Sequence, residues 1–267
     1  MSSGTVSVKM DGAVAQIVFA NPDEGFMDRA MEEAFLAAIG EVEATPAIRA
    51  CVLSGGTPGV FIRHYDLKVL APQAASMAAR GMTFTMDRPV REGTIHQTLR
   101  QMEESQKIYI AALNGTAMGG GFETAIACDL RIVEEGAYEF GLPEINLGIL
   151  PGAGGTQRLP QLVGLSRALR MTLTGDTLGP DDMVGTGLAI SCVPDARAEA
   201  LVLAHRMAAK PARAAAHIKR LIRLANAGSQ DGHALERTLF CDLMVQQDAA
   251  RLLAQGADGS RRITDDP

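Results

Sequence analysis

The chain lacks a basic run, a Cys-x-x-Cys pair and any apolar stretch long enough to cross a bilayer. Each absence removes a class of function. The formal net charge is −6, and an acidic chain without a basic patch suits a phosphate backbone poorly, so no nucleic-acid partner is expected. The densest basic stretch, Lys219-Arg220-Leu221-Ile222-Arg223, reads as one solvated face of a helix or as a contact for a ligand phosphate. Cys51, Cys128, Cys192 and Cys241 have no zinc-ribbon or redox spacing, and no metal is expected. Cys51 and Cys128 sit in apolar runs, where buried thiols are common. A membrane span needs about 18 apolar residues or more in sequence, and none is present. Residues 1–20 have no basic segment followed by an apolar core, so the expectation is no export signal and a cytoplasmic location.

What is present is a globular profile. The 267 residues are 47% hydrophobic, with Gly 28 and Pro 12, enough for one large or two modest cores. Thr5 to Met10 and Val14 to Phe19 are β-rich runs joined by a tight Asp11-Gly12 turn. Asp28 to Glu43 has helical periodicity, with Met31, Phe35, Leu36 and Ile39 on one side. Arg49 to Ser54, Ile108 to Leu113 and Asp129 to Val133 read as buried strands, and a helix starts at Gly119. Residues 70–100 read as irregular. Strand, glycine turn, helix and strand recur, which predicts an α/β fold of repeated ββα units. From about residue 196 the chain turns to Ala-, Leu- and Arg-rich helices, predicted over 196–209, 211–227 and 234–254. The expected division is a core of residues 1–195 and a C-terminal helical region of residues 196–267. That region either only covers the core or also carries subunit contacts.

Two glutamates carry the chemistry. Glu123 follows Gly119-Gly120-Gly121, which ends a strand and opens a helix. The amides of a helix start are unpaired and favour an anion, and glycine lets a ligand approach the main chain. Glu123 can overhang that space, or it can serve its own helix as a dipole partner or capping residue. Glu144 lies in Phe140-Gly141-Leu142-Pro143-Glu144, where apolar neighbours could raise its pKa. The alternative is an exposed loop carboxylate. Two carboxyls beside free amides are what proton transfer next to a carbonyl requires. The glycine pattern is neither a dinucleotide fingerprint, since Gln157 stands where Gly152-Ala153-Gly154 would need glycine, nor a P-loop.

These motifs resemble the crotonase superfamily, the enoyl-CoA hydratases and isomerases. The resemblance runs through Ala111-Ala112-Leu113-Asn114-Gly115, Gly119 to Glu123, Cys128-Asp129, Phe140 to Gly148 and Leu150-Pro151-Gly152-Ala153-Gly154-Gly155-Thr156-Gln157-Arg158-Leu159. It implies a spiral of ββα units with a C-terminal helical region, and trimers often paired into hexamers. It implies a CoA thioester as substrate with no other cofactor. It also implies an oxyanion hole from the backbone amides of Gly120 and Tyr65, Glu123 and Glu144 as the acid/base pair, and enoyl-CoA hydration as the activity. An isomerase or a C–C bond hydrolase of the same superfamily, the latter independent of CoA, is the alternative. A non-catalytic binding protein is a third reading, which the charge and the intact glutamate pair oppose.

One segment departs from the family pattern. Where relatives read F-x-A-G-A-D, this chain has Phe61-Ile62-Arg63-His64-Tyr65-Asp66. Arg63, His64, Asp66, Leu67, Lys68 and Gly119 are the expected substrate- and CoA-binding set, with Arg63 or Lys68 at a CoA phosphate. Three outcomes are open for the bulky residues: an altered acyl pocket lined by Tyr65, a new polar catalytic group in His64, or side chains packed outward. The long stretch from Asp66 to Asn114 is expected to shape the acyl pocket, with Met77, Met82, Met86 and Phe84 as an adaptable apolar wall.

Overall fold

The computed structural model describes residues 4–21, 24–210, 212–225, 231–263 and 265. β1 (Thr5–Asp11) and β2 (Val14–Ala20) form the expected hairpin, and α1 (Arg29–Ala44) starts where the Asp28 carboxylate accepts the Met31 amide. Three strand pairs follow: β3 (Ala50–Gly55) with β4 (Gly59–Ile62), β5 (Ile108–Leu113) with β6 (Gly115–Met118), and β7 (Leu130–Glu134) with β8 (Phe140–Gly141). After the first pair come α2 (Leu67–Ala79) and α3 (Thr94–Glu104). After the second comes α4 (Gly120–Ala127). After the third come a 3₁₀ turn (Glu144–Leu147), α5 (Gly155–Val163) and α6 (Leu165–Thr174). β9 (Thr177–Leu178), α7 (Pro180–Gly185) and β10 (Cys192–Val193) lead to α8 (Ala196–Ala208), α9 (Ala212–Ala225), α10 (Asp231–Met244) and α11 (Gln247–Ala257).

In each pair the first strand joins one sheet and the second joins another, so the chain winds as a spiral. The large sheet has the order β1-β2-β3-β5-β7-β10 and the small one β4-β6-β8-β9. Pairing is parallel apart from β1 with β2 and β8 with β9. At the corner between sheets, Asn114 accepts the Gly55 amide at 2.8 Å and donates to the Gly55 carbonyl at 2.9 Å. One side-chain amide thus substitutes for a missing ladder rung. The main core lies between the sheets and under α1, α3 and α4. The other face of the large sheet packs Val14, Ala50, Val52, Ile110, Ala112 and Ile132 against Ala196, Ala200 and Ala204 of α8. Both faces of β3 and β5 are therefore buried, which is why they read as unbroken apolar runs. By its packing α8 is part of the sheet core.

Three expectations are corrected. Residues 70–100 are helical at both ends, with α2 running to Ala79 and α3 beginning at Thr94, and irregular over 80–93 between them. The helix expected over 234–254 is two, α10 and α11, broken at Val245-Gln246. The ends of the helix expected over 211–227, Pro211 and residues 226–227, lie outside the described residues. Of the cations in Lys219-Arg220-Leu221-Ile222-Arg223 only Arg220 keeps a solvated position; Lys219 and Arg223 are engaged inside the protein. Lys219 is buried and donates to the Met102 and Lys107 carbonyls at 2.8 and 2.7 Å, and its ammonium is 3.0 Å from Asp129. Arg223 binds Asp129 at 2.9 Å and Glu103 at 3.3 Å. Lys219 and Arg223 of α9 thus turn inward, while Arg220 and the apolar Ile218, Leu221 and Ile222 face out.

Asp129 therefore holds two cations and the Tyr109 amide (2.8 Å) at once. Asp129→Asn leaves the buried Lys219 ammonium without its counter-charge, and stability is expected to fall by about 3 kcal/mol, read as a lowered urea midpoint.

Candidate active site

Every residue of α4 from Gly121 to Ala127 is buried, and this fixes where its first residues stand. A Cβ on Gly121 would lie 2.0 Å from the Ile62 carbonyl oxygen, so only glycine lets α4 press this close to β4. Gly119 caps the helix at φ 49°, a backbone region that side-chain-bearing residues avoid. Its amide donates to Gly141, and the Met118 amide donates to Arg63, so the α4 start, β8 and the end of β4 are locked together.

A cavity of about 270 Å³ opens at this junction. Among the expected site residues, Glu123, Glu144, Gly119, Gly120, His64, Tyr65 and Leu67 line it, whereas Arg63, Asp66 and Lys68 do not. Glu123 is 2% exposed and its Oε1 accepts the amides of Ala153 (2.7 Å) and Gly155 (2.8 Å). It thus caps the start of α5, not of its own helix. Burial pushes its pKa above the ordinary carboxylate value, and the two amides oppose that shift. Glu144 begins the 3₁₀ turn and is 5% exposed, so it is not a surface loop carboxylate. The turn is clamped by the C-terminal segment: Asn146 donates to the Ile263 carbonyl at 3.3 Å and Arg261 donates to the Asn146 carbonyl at 3.2 Å. Gly119 separates Glu144 from His64. A Cβ there would lie 3.1 Å from Glu144 Oε1 and 3.7 Å from His64 Cβ.

The Arg63-His64-Tyr65 segment keeps an ordinary extended backbone; among the described residues no non-glycine has a positive φ. The Met27 amide donates to the His64 carbonyl and the Asp66 amide donates to Met27, a parallel bridge that turns the Tyr65 amide to the opposite side. Tyr65 lies beside Gly120: a Cβ on Gly120 would lie 3.9 Å from Tyr65 Cβ. Gly120 is the first residue of α4, so its amide precedes the intrahelical bonds.

The three side chains diverge. Arg63 turns away and donates to the Glu24 carbonyl at 2.8 Å, its guanidinium 6.0 Å from the Phe26 ring centroid. His64 is buried against Phe26, ring centroids 4.5 Å apart, and its Nδ1–H donates to the Tyr65 carbonyl at 2.8 Å. Burial lowers its pKa to about 4. It is neutral near pH 7, which removes the basis for reading it as a group poised at neutrality. Tyr65 lines the cavity. Asp66 caps α2 by accepting the Lys68 amide at 2.8 Å, and Lys68, 4.0 Å from Glu24, lines a second hollow with Asp66, Leu67 and Gly256–Gly259.

The expected methionine wall is also corrected. Met77 is buried beneath α11, and Met82 and Phe84 pack on the same cluster. Met86 is exposed. From that stretch the cavity takes Leu70, Gln73, Val90, Arg91 and Gly93–His96 instead. Sequence reasoning did not reach His96, whose Nε2–H donates to the Gly152 carbonyl at 2.7 Å beside the Glu123 cradle. It also missed Glu32, a carboxylate flanking the apolar stripe of α1. Glu32 meets the Tyr65 hydroxyl in the cavity wall, and burial raises its pKa to about 7, countered first by Arg29. Among the described residues no group of three or more His, Cys, Asp or Glu side chains is arranged to hold a metal, and no helix is long and apolar enough to cross a membrane.

Gly119→Ala is expected to cost about 1–3 kcal/mol in backbone strain and to push Glu144 aside, lowering activity more than stability. Thermal melts and turnover on one preparation separate the two effects. Glu32 binds its proton more tightly folded than unfolded, so its stabilising contribution is full below about 4.5 and lost as pH rises through about 7. The Tm of Glu32→Gln relative to wild type is therefore expected to rise between pH 5 and pH 8.

The family model for enoyl-CoA hydratase/isomerase matches residues 9–257. The chain is 33% identical over 217 residues to the fatty acid oxidation complex subunit alpha of Idiomarina loihiensis, covering 78% of this chain and 28% of that protein. It is 34% identical over 178 residues to the same subunit of Shewanella putrefaciens, covering 65% and 24%. The chain thus spans about a quarter of the length of these curated relatives. Among solved structures it is similar to Pseudomonas aeruginosa DspI, with TM-score 0.73, 32% identity, and 85% of this chain and 90% of that one covered. It is also similar to an enoyl-CoA hydratase from Bacillus anthracis, with TM-score 0.73, 27% identity, and 96% and 97% covered. An enoyl-CoA hydratase/isomerase from Mycobacterium paratuberculosis, at 23% identity and TM-score 0.81 over 94% and 97%, shares the fold.

Proposed function

Because the chain belongs to the enoyl-CoA hydratase/isomerase family, within the crotonase superfamily, we propose that it hydrates the 2,3-double bond of an enoyl-CoA thioester. The observation that carries this reading is the joint burial of Glu123 and Glu144 in one cavity that Gly120 and Tyr65 also line. The thioester oxygen sits between those two amides. A water molecule adds through its oxygen to Cβ and gives a proton to Glu123. The electron pair moves to the thioester oxygen, where the amides stabilise the enolate; such a donor is worth on the order of 3 kcal/mol. Cα then takes a proton from Glu144. Proton exchange with water returns Glu123 to carboxylate and Glu144 to acid.

Roles follow from the hydrogen bonds. Two amides on Oε1 favour an ionised Glu123, which suits a base. The scheme draws only on side chains and amides of this chain and on the CoA thioester. Arg63 and Lys68 stand outside the cavity, and Lys68 flanks the second hollow, where its ammonium would meet the phosphates of CoA. The outward Ile218, Leu221 and Ile222 of α9 and Leu165, Leu169 and Leu173 of α6 support self-association into a trimer or hexamer.

Crotonyl-CoA hydration, followed by loss of thioester absorbance, tests the proposal. Glu123→Gln and Glu144→Gln are each expected to lower kcat by at least about 100-fold, the scale of general acid–base catalysis. Wild-type kcat/KM is expected to fall on acidification with a midpoint above 4.5, set by the raised Glu123 pKa. Shift of a 3-enoyl double bond without water uptake would mark an isomerase instead, and absence of CoA-thioester binding would sink the reading.

A further inference from the structure

Arg29 and Glu32, in the first turn of α1, line the same cavity as the two catalytic-pair glutamates, and hydration uses neither. Their place in the cavity is fixed by helix pairing. The C-terminal ends of α1 and α3 are tied: Ser105 donates to the Glu43 carboxylate at 2.7 Å, and Lys107 donates to the Val42 carbonyl, to Glu43 at 3.2 Å and to Thr45 at 2.8 Å. The N-terminal ends therefore meet at the cavity, where Thr94, Ile95 and His96 of α3 also open. His96 holds Gly152, next to the Ala153 amide that binds Glu123. Glu32 thus stands on the Glu123 side of the cavity, where the reacting carbons and the acyl chain belong. The second hollow, at Lys68 and Gly256–Gly259, adjoins the cavity at His64 and Leu67 and includes neither Arg29 nor Glu32.

Tyr65 bridges the two regions. Its amide is beside Gly120, and its ring runs out to a hydroxyl that meets the Glu32 carboxyl, with the Arg29 charge nearby. A plain alkyl chain laid along this wall would desolvate a carboxyl, a phenol and part of a guanidinium and bond to none of them. A chain carrying oxygen would not.

We propose that Arg29, Glu32 and Tyr65 form a polar subsite that selects acyl groups bearing a hydroxyl or oxo oxygen beyond the reacting carbons. A hydroxyl donates to Glu32 and accepts from Tyr65 or Arg29; an oxo group accepts from the latter two. The inference rests on the enoyl-thioester reading above and narrows its substrate class.

The test compares kcat/KM on chain-matched 2-enoyl-CoA thioesters with and without a hydroxyl at C4, C5 or C6. In wild type at least one hydroxylated thioester is expected to exceed its plain counterpart by about tenfold or more, the scale of one hydrogen bond to a charged group. That ratio is expected to fall to near one in both Tyr65→Phe and Glu32→Leu. Tyr65→Phe removes one oxygen and keeps the backbone amide, so it decides the matter where Glu32→Leu fails to fold. Turnover of plain thioesters with a wild-type ratio of one or less overturns the subsite and leaves the hydratase reading standing, as does a ratio that Tyr65→Phe does not change. Neither binding nor turnover of any enoyl thioester overturns both.

Discussion

The two amide hydrogen bonds that Ala153 and Gly155 give to Glu123 Oε1 are the contact on which the site depends. A carboxylate 2% exposed on an apolar helix is costly unless something compensates its charge. The compensation comes from the start of a different helix, α5. Arg158, one turn into α5, donates to the Ala153 carbonyl at 2.6 Å and forms a paired bond with Glu103 of α3 at 2.8 Å to each oxygen. Glu103 in turn meets Arg223 of α9, and Arg223 meets Asp129. The orientation of one buried carboxylate is thus supported by α3, α5 and α9 together. Glycine at 155 is part of the same constraint, since a Cβ there would come within 3.0 Å of Glu123 Oε1.

The parts legible in the sequence were those whose cause is local. The β1–β2 turn, the apolar stripe of α1 and the buried β3 and β5 each follow from a few adjacent residues. The glycine turn before Glu123 was legible for the same reason, because three successive glycines weaken a strand and suit a tight turn that exposes main-chain amides. What was not legible depends on distant partners. Lys219 and Arg223 sit on a helix whose local pattern suits solvent, and only the placement of Asp129 and Glu103 draws them inward. Residues 70–100 hid two helices because Pro72 interrupts the α2 pattern and Gly93, which caps α3, offers no side-chain cap.

The substituted loop illustrates a limit of reading side chains from a motif. Its backbone pairing with Gly25, Met27 and Met118 uses only main-chain groups, so Arg63, His64 and Tyr65 can replace small residues without moving the Tyr65 backbone beside Gly120. Their side chains then take whatever room the neighbours allow. Arg63 finds the Glu24 carbonyl, His64 fills the space against Phe26, and Tyr65 enters the cavity. Burial explains why His64 is an unsuitable proton carrier near neutrality: its ring is enclosed, and charging it costs more than its bond to the Tyr65 carbonyl returns.

Tyr65 also separates two requirements that a single side chain would confuse. In the proposed reaction its amide serves the thioester oxygen, and its backbone is fixed by the strand pairing on either side. Its ring and hydroxyl line the cavity beside Glu32 of α1. The two are anchored on different elements, so a change at Glu32 reaches the cavity wall without passing through the pairing that aims the amide. A protein built this way can alter what its cavity accepts at α1 and α3 while Glu123, Glu144 and the two amides stay where the spiral puts them.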